Sequence, residues 1–121
     1  MIIVFILNTI LKNIFERPRP EFYRLIQETG FSFPSGHSMV SMAFYGYFIY
    51  IIYKKMDNIY LKWVICSILS LLIILIGISR IYLGVHYASD VLAGFCISLA
   101  YLMLYTYLTK KYLNIEKKEC K

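Results

Sequence analysis

Four apolar runs most constrain what this chain can fold into. They cover residues 1–15, 38–53, 63–79 and 91–109, and the last three contain no Asp, Glu, Lys or Arg. A bilayer core of about 30 Å is crossed by about 20 helical residues, with about 17–25 observed. We therefore predict an all-α fold, an integral membrane bundle of four transmembrane helices.

The composition of the chain argues against a soluble domain and against disorder. Of its 121 residues, 60% are hydrophobic and 17% are charged, against roughly 45–50% and roughly 25% in soluble domains. A soluble domain of this length has too little interior to bury so much apolar surface, and disorder requires low hydrophobicity. We expect one domain over residues 1–121, with a polar tail at 110–121.

The 13 basic residues are distributed unevenly between the segments that join the apolar runs. Cytoplasmic loops of membrane proteins carry an excess of Lys and Arg, whereas a nucleic-acid site gathers basic residues on one face. We therefore expect no nucleic-acid partner, a cytoplasmic short loop and tail, and an outward-facing opposite side. Eight lysines carry this orientation: Lys54, Lys55, Lys62, Lys110, Lys111, Lys117, Lys118 and Lys121.

The outward side carries six ionisable residues next to apolar runs, where such residues are functional candidates by default. Ser35 is a candidate N-cap of the second helix, and Gly36 lets the backbone approach a ligand closely. A helix N-terminus attracts anions, and cations gathered around it suit a phosphate group. The six residues are Lys12, Arg19, His37, Arg80, His86 and Asp90.

His86 and Asp90 are spaced i, i+4 at the start of the fourth run, which predicts that both side chains share one helix face. We expect Asp90 to accept the Nδ1–H of His86 and leave Nε2 free as a nucleophile. His37 is then the candidate for protonating the leaving oxygen. A metal site made of these three residues is the main alternative. The nearby cations would repel a divalent ion, so we expect no metal.

Three separated motifs combine these residues. They are Lys12 with Arg19-Pro20, then Pro34-Ser35-Gly36-His37, then Ser79-Arg80 with His86 and Asp90. Together they resemble the signature of the type 2 phosphatidic acid phosphatases, which is Lys-x6-Arg-Pro, Pro-Ser-Gly-His and Ser-Arg-x5-His-x3-Asp. All three match in order and without substitution, over about two thirds of the chain.

The resemblance implies a role for each motif residue. The residue matching His86 is the nucleophile that forms a phosphohistidine, the one matching Asp90 orients it, and the one matching His37 is the general acid. Neither a metal nor another cofactor is needed. No role falls to Arg17 or Arg24. Phosphate binding is implied for Lys12, Arg19, Ser35, Gly36 and Arg80.

The resemblance also implies a substrate class and a location. The membrane branch of the family dephosphorylates lipids such as phosphatidic acid, phosphatidylglycerol phosphate or undecaprenyl diphosphate, at a site facing away from the cytoplasm. Its members usually have six helices, so we interpret the chain as lacking the first two. The many Ile, Lys, Asn and Tyr residues indicate an AT-rich bacterial genome. A lipid phosphotransferase with the same site, and an inactive truncated membrane protein that binds lipid, are the alternatives.

Overall fold

The computed structural model describes residues 1–21 and 25–119, with side chains described as far as residue 112. This part of the chain contains helices and no strand, so the all-α class is confirmed. The helices are α1 (Ile2–Phe15), α2 (Gly36–Lys55), α3 (Ile59–Tyr82) and α4 (Ala88–Glu119).

Local sequence sets the ends of the first three helices. α1 stops at Glu16, whose left-handed backbone (φ 43°, ψ 31°) directs its N–H to the carbonyl of Lys12. α2 and α3 follow the N-caps Ser35 and Asn58, and each cap side chain accepts a hydrogen bond from a backbone N–H in the first helical turn. These caps satisfy N–H groups that have no partner inside the helix.

The helices extend beyond the apolar runs that predict them. α3 continues to Tyr82, so Arg80 lies in the last helical turn rather than in a loop. α2 includes Lys54 and Lys55 in its last turn, and α4 continues through the predicted polar tail to Glu119. Basic side chains are favourable at helix C-termini, and Lys is a good helix former. These helices therefore continue beyond their apolar segments.

α2 lies at the centre of the bundle and packs against α1, α3 and α4. α4 comes close because of Gly94, where a Cβ atom would lie 2.9 Å from the carbonyl oxygen of Ser35. Ser98 also donates from its Oγ to the carbonyl of Met39 at 2.7 Å. Small and hydroxyl side chains of this kind are typical where helices pack in membranes. The buried apolar cluster of this bundle comprises Val4, Met39 and Ala43, with Leu7, Ile97 and Tyr101 packed against it.

Two of the described helices, α3 and the part of α4 from Ala88 to Tyr112, are long and apolar enough to cross a membrane. Only 17% and 22% of their apolar windows are buried, so these helices expose apolar faces that a soluble protein would cover. α1 has 14 residues, which corresponds to about 21 Å, less than the bilayer core of about 30 Å. Of the four predicted spans, length and composition therefore support two.

Candidate active site

Contacts between loops and helix ends bring the three motifs to one end of the bundle. The N–H of Ser35 donates to the carbonyl of Asp90, in the first turn of α4, at 3.1 Å. Arg19, in the segment after α1, reaches the carbonyl of Val85, just beyond α3, at 3.1 Å. The turn between α2 and α3, flanked by Lys54, Lys55 and Lys62, lies at the opposite ends of those helices. The site end of the bundle contains Lys12, Arg19, Ser35, Gly36, His37, Arg80, His86 and Asp90.

Arg19 is buried, with 7% of its surface exposed. Its guanidinium links the segment between α1 and α2 to the site. Nε donates to the carbonyl of Gly30 at 2.9 Å, and Nη1 donates to Oε2 of Glu28 at 2.8 Å. The same Nη1 lies 3.5 Å from Nε2 of His86. A permanent positive charge therefore stands beside the ring nitrogen that is expected to attack phosphorus.

Glu28 connects two of the expected phosphate-binding residues. Its Oε2 lies 2.8 Å from Nη1 of Arg19, and its Oε1 lies 3.4 Å from Nη1 of Arg80. Burial acts to raise the pKa of Glu28, but the charge and hydrogen bond of Arg19 outweigh it and leave the pKa below its usual value. The sequence analysis missed this residue; its place as the carboxylate nearest to Pro-Ser-Gly-His, on a cationic side, is the signal that could have found it.

His86 lies in the turn between α3 and α4 and is 3% exposed. Burial, followed by the positive charges of Arg19 and Lys12, lowers the pKa of His86 to about 4, against the opposing effects of Asp90 and the Ser32 backbone. The imidazole is therefore neutral at pH 7. A neutral ring has a lone pair available for nucleophilic attack.

The hydrogen bond expected from His86 to Asp90 is not formed. Nδ1 of His86 lies 3.8 Å from Oδ2 of Asp90, which is beyond hydrogen-bond distance. The reason is that α4 begins at Ala88, so His86 precedes the helix and the i, i+4 geometry of two helical residues does not apply. The carboxylate still faces Nδ1, and their interaction is electrostatic across this gap.

Asp90 is bound instead by Arg17, a residue without a role in the sequence analysis. Nη1 of Arg17 lies 2.8 Å from Oδ1 of Asp90, while Oδ2 accepts hydrogen bonds from Oγ of Ser32 and from the N–H of Tyr87. Arg17 is one of the six unspecified residues of Lys-x6-Arg-Pro, and its pairing links segments that are distant in the chain. Arg24, the other cation without a role, lies outside the described residues.

The start of α2 and the end of α1 contribute the remaining polar groups of the site. Nζ of Lys12 donates to the carbonyl of Phe31 at 2.7 Å. Oγ of Ser35 accepts hydrogen bonds from both N and Oγ of Ser38, which leaves its own O–H as a donor. A Cβ at Gly36 would lie 3.1 Å from a side chain of α1, so this glycine lets the two helices meet closely.

A cavity of about 510 Å³ opens beside these residues. The imidazoles of His37 and His86 line it together with the ammonium of Lys12. Its other walls are mainly apolar, so the cavity suits a molecule with a charged end and an apolar body. Across the described residues, no cluster of three His, Cys, Asp or Glu side chains is suited to a metal ion. The apolar walls include Phe5, Val40, Phe44 and Ile76.

Comparisons with known proteins identify the family of the chain. The family model of the PAP2 superfamily matches residues 1–113. The crystal structure of a transmembrane PAP2-type phosphatidylglycerolphosphate phosphatase from Bacillus subtilis superposes with a TM-score of 0.80 at 39% identity, covering 89% of this chain and 54% of that one.

Two curated proteins are similar in sequence. Phosphatidylglycerophosphatase B of Bacillus subtilis is 41% identical over 109 residues, covering 86% of this chain and 54% of that protein. Dolichyldiphosphatase of Saccharomyces cerevisiae is 30% identical over 99 residues, covering 76% and 41%. The chain thus spans about half the length of the relatives that it matches. With the three motifs converging on one cavity and a family model matching most of its length, the chain belongs to the PAP2 superfamily, the type 2 phosphatidic acid phosphatases.

Proposed function

We propose that the chain acts as a membrane lipid phosphatase and hydrolyses a phosphate monoester or diphosphate through a phosphohistidine on His86. The observation that carries this proposal is the pair of arginines, Arg19 and Arg80, that holds one carboxylate next to a neutral imidazole. Arginine binds carboxylate and phosphate oxygens in the same way. The carboxylate of Glu28 therefore marks where the oxygens of a phosphate can be bound.

The first half of the reaction follows from the two histidines. Nε2 of His86 attacks phosphorus while the bond from phosphorus to the lipid oxygen breaks. His37, which lines the same cavity, donates its proton to the leaving oxygen. Arg19 and Arg80 stabilise the negative charge on the remaining phosphoryl oxygens. The released lipid alcohol, or lipid monophosphate, carries the proton away.

The second half returns the enzyme to its starting state. A water molecule attacks the phosphohistidine, and the bond between phosphorus and Nε2 of His86 breaks. His37 now accepts the proton of that water, which restores its role as acid for the next cycle. Inorganic phosphate leaves. Asp90 stabilises the positive charge that the ring of His86 carries while it holds the phosphoryl group, since its carboxylate faces Nδ1 at 3.8 Å.

The cavity and the relatives support a lipid as substrate. The apolar wall that adjoins the polar end suits an acyl or prenyl chain. The names of the two curated relatives designate one phosphatase of a glycerophospholipid phosphate and one of a prenyl diphosphate. We therefore propose phosphatidic acid, phosphatidylglycerol phosphate and undecaprenyl diphosphate as the substrates to test first.

We further propose that α1 and α2, like α3 and α4, span a bacterial cell membrane, and that the site end of the bundle faces outward. The lysines that flank the α2–α3 turn and the basic end of α4 lie at the opposite end from the site, where the excess of Lys favours the cytoplasm. Labelling of single cysteines introduced at each end, in intact cells against permeabilised cells, tests this orientation. Labelling of the site end only after permeabilisation would contradict it.

The function is tested by measuring phosphate release from these lipid phosphates by the purified protein in mixed micelles. We expect His86→Ala to lower turnover by at least about a hundredfold, because the nucleophile and its partners act as a unit. Lys55→Ala, in the last turn of α2 far from the site, is the matched control. Near-native turnover of His86→Ala would refute the mechanism.

A second measurement separates hydrolysis from the alternatives. Brief incubation with radiolabelled substrate and rapid denaturation should trap a phosphoryl group that is stable in base and lost in acid, as phosphohistidine is. Adding a primary alcohol distinguishes transfer from hydrolysis, since a phosphotransferase forms a phosphorylated alcohol instead of free phosphate. A folded chain that neither forms the intermediate nor releases phosphate would support an inactive lipid-binding protein.

A further inference from the structure

The carboxylate of Asp90 is fully buried and held by three donors, two from the segment between α1 and α2 and one from the segment between α3 and α4. Oδ1 pairs with Nη1 of Arg17 at 2.8 Å. Oδ2 accepts hydrogen bonds from Oγ of Ser32 and from the N–H of Tyr87. These contacts leave the carboxylate one orientation, in which Oδ2 also faces Nδ1 of His86 at 3.8 Å.

Arg17 is the one full positive charge among those donors, and it is itself held on several sides. Its Nη1 also donates to Oγ of Ser89 at 2.8 Å, and its guanidinium carbon lies 4.3 Å from the ring centre of Tyr87. Its carbonyl accepts the N–H of Ser32 at 2.8 Å. Arg17 therefore joins the loop after α1 to both the start of α4 and the other side-chain donor to Asp90.

Arg17 has no described contact with Glu28 or with His86, so it stands apart from the arginines that hold the anion. A buried carboxylate that loses its cation turns toward other donors, because an unpaired buried charge is strongly unfavourable. That movement would take the negative charge away from Nδ1 of His86. Thus Arg17 can affect the imidazole through Asp90 without touching the substrate.

We propose that Arg17 is a positioning residue for the phosphatase reaction: it fixes the ionised Asp90 carboxylate against Nδ1 of His86 and thereby sets the orientation of the nucleophile. This inference rests on the proposed function for its catalytic consequence. Its structural part concerns the imidazole of His86 and can be measured without turnover.

The kinetic test compares Arg17→Gln with Arg17→Lys and with the control Lys55→Gln. We expect Arg17→Gln to lower kcat by about tenfold or more with KM changed by less than about threefold, since the lost interaction acts on the nucleophile and not on substrate binding. Arg17→Lys keeps the positive charge and should recover most of the loss. Equal kcat values for Arg17→Gln and Lys55→Gln would overturn the proposal.

The spectroscopic test uses the fact that the chain has two histidines. Selective ¹⁵N labelling of histidine gives two sets of imidazole signals, and His37→Ala assigns them. We expect Arg17→Gln to move the Nδ1 and Nε2 signals of His86 and to leave those of His37 in place, with Arg17→Lys close to the unsubstituted protein. If Arg17→Gln does not fold, Ser32→Ala removes a donor from the same carboxylate and should move the same signals.

The two tests distinguish failure of the proposed function from failure of the positioning role. If the unsubstituted protein is folded but has no phosphatase activity, the proposed function is refuted. The ¹⁵N signals then still decide whether Arg17 orients His86 through Asp90. His86 signals that are identical in Arg17→Gln and the unsubstituted protein overturn the positioning role, even where phosphatase activity is normal.

Discussion

Gly94→Ala tests whether the close approach of α4 to the start of α2 holds the site together. The added Cβ would lie 2.9 Å from the carbonyl oxygen of Ser35, 3.1 Å from Cβ of Ser38 and 3.3 Å from Cγ of Met39. The nearest of these atoms belongs to the backbone, which cannot turn aside as a side chain can. The two helices must therefore move apart at the Pro-Ser-Gly-His motif.

The size of the effect follows from what that movement disturbs. Overpacking by one methyl group in a well-packed interface costs about 1–3 kcal/mol. The same shift would lengthen the 3.1 Å hydrogen bond from the N–H of Ser35 to the carbonyl of Asp90, which links two motifs of the site. Misplacement of catalytic groups by 1 Å can lower the rate about a hundredfold, or about 2.7 kcal/mol, so we expect losses of activity and of stability of comparable size.

Gly46→Ala is the matched control, because it makes the same change in the same pair of helices. There the added Cβ would lie 2.8 Å from Cδ1 of Leu102, the end of a flexible side chain that can rotate away. Both substitutions gain the same helix propensity, up to about 1 kcal/mol for Ala over Gly. Thermal unfolding in detergent and phosphate release are measured for both. If Gly94→Ala is as stable and as active as Gly46→Ala, the reasoning is wrong.

Three further predictions follow from the charges of the site. Glu28→Gln should tighten inhibition by inorganic phosphate about tenfold, or about 1.4 kcal/mol, because phosphate no longer competes with a carboxylate for Arg19 and Arg80; weaker inhibition would contradict this. Since burial and nearby cations lower the pKa of His86 to about 4 from 6.5, the unfolded state binds more protons between these values, so stability should fall as the pH drops through this range. His86→Asn should reduce that dependence in denaturant titrations, and an unchanged slope would show that other groups cause it. A chelator should leave phosphate release unchanged, whereas a loss that zinc restores would favour a metal site.

Much of the fold could be predicted because its signals are local. An uncharged apolar run is favourable in lipid and satisfies its backbone hydrogen bonds in a helix, so the three uncharged runs lie entirely within helices, and α1 covers all of the first run except Met1. Caps such as Ser35 act on N–H groups within one turn. The spacing within each of the three motifs is also local, and the eight candidate residues that it singled out lie at one end of the bundle.

The sequence by itself therefore determined the helical class, two helices suited to a membrane, the family, and eight of the residues proposed for the site. Tertiary structure alone decided the partners of those residues. Arg17 meets Asp90 and Arg80 meets Glu28 across long stretches of chain, and no periodicity encodes such pairs. Even the local pair His86 and Asp90 depended on where α4 begins, since a helix that starts at Ala88 leaves His86 outside it. The physical reason is that hydrophobicity and capping act within a few residues, whereas a buried charge is stabilised by whichever opposite charge the packed helices bring within reach.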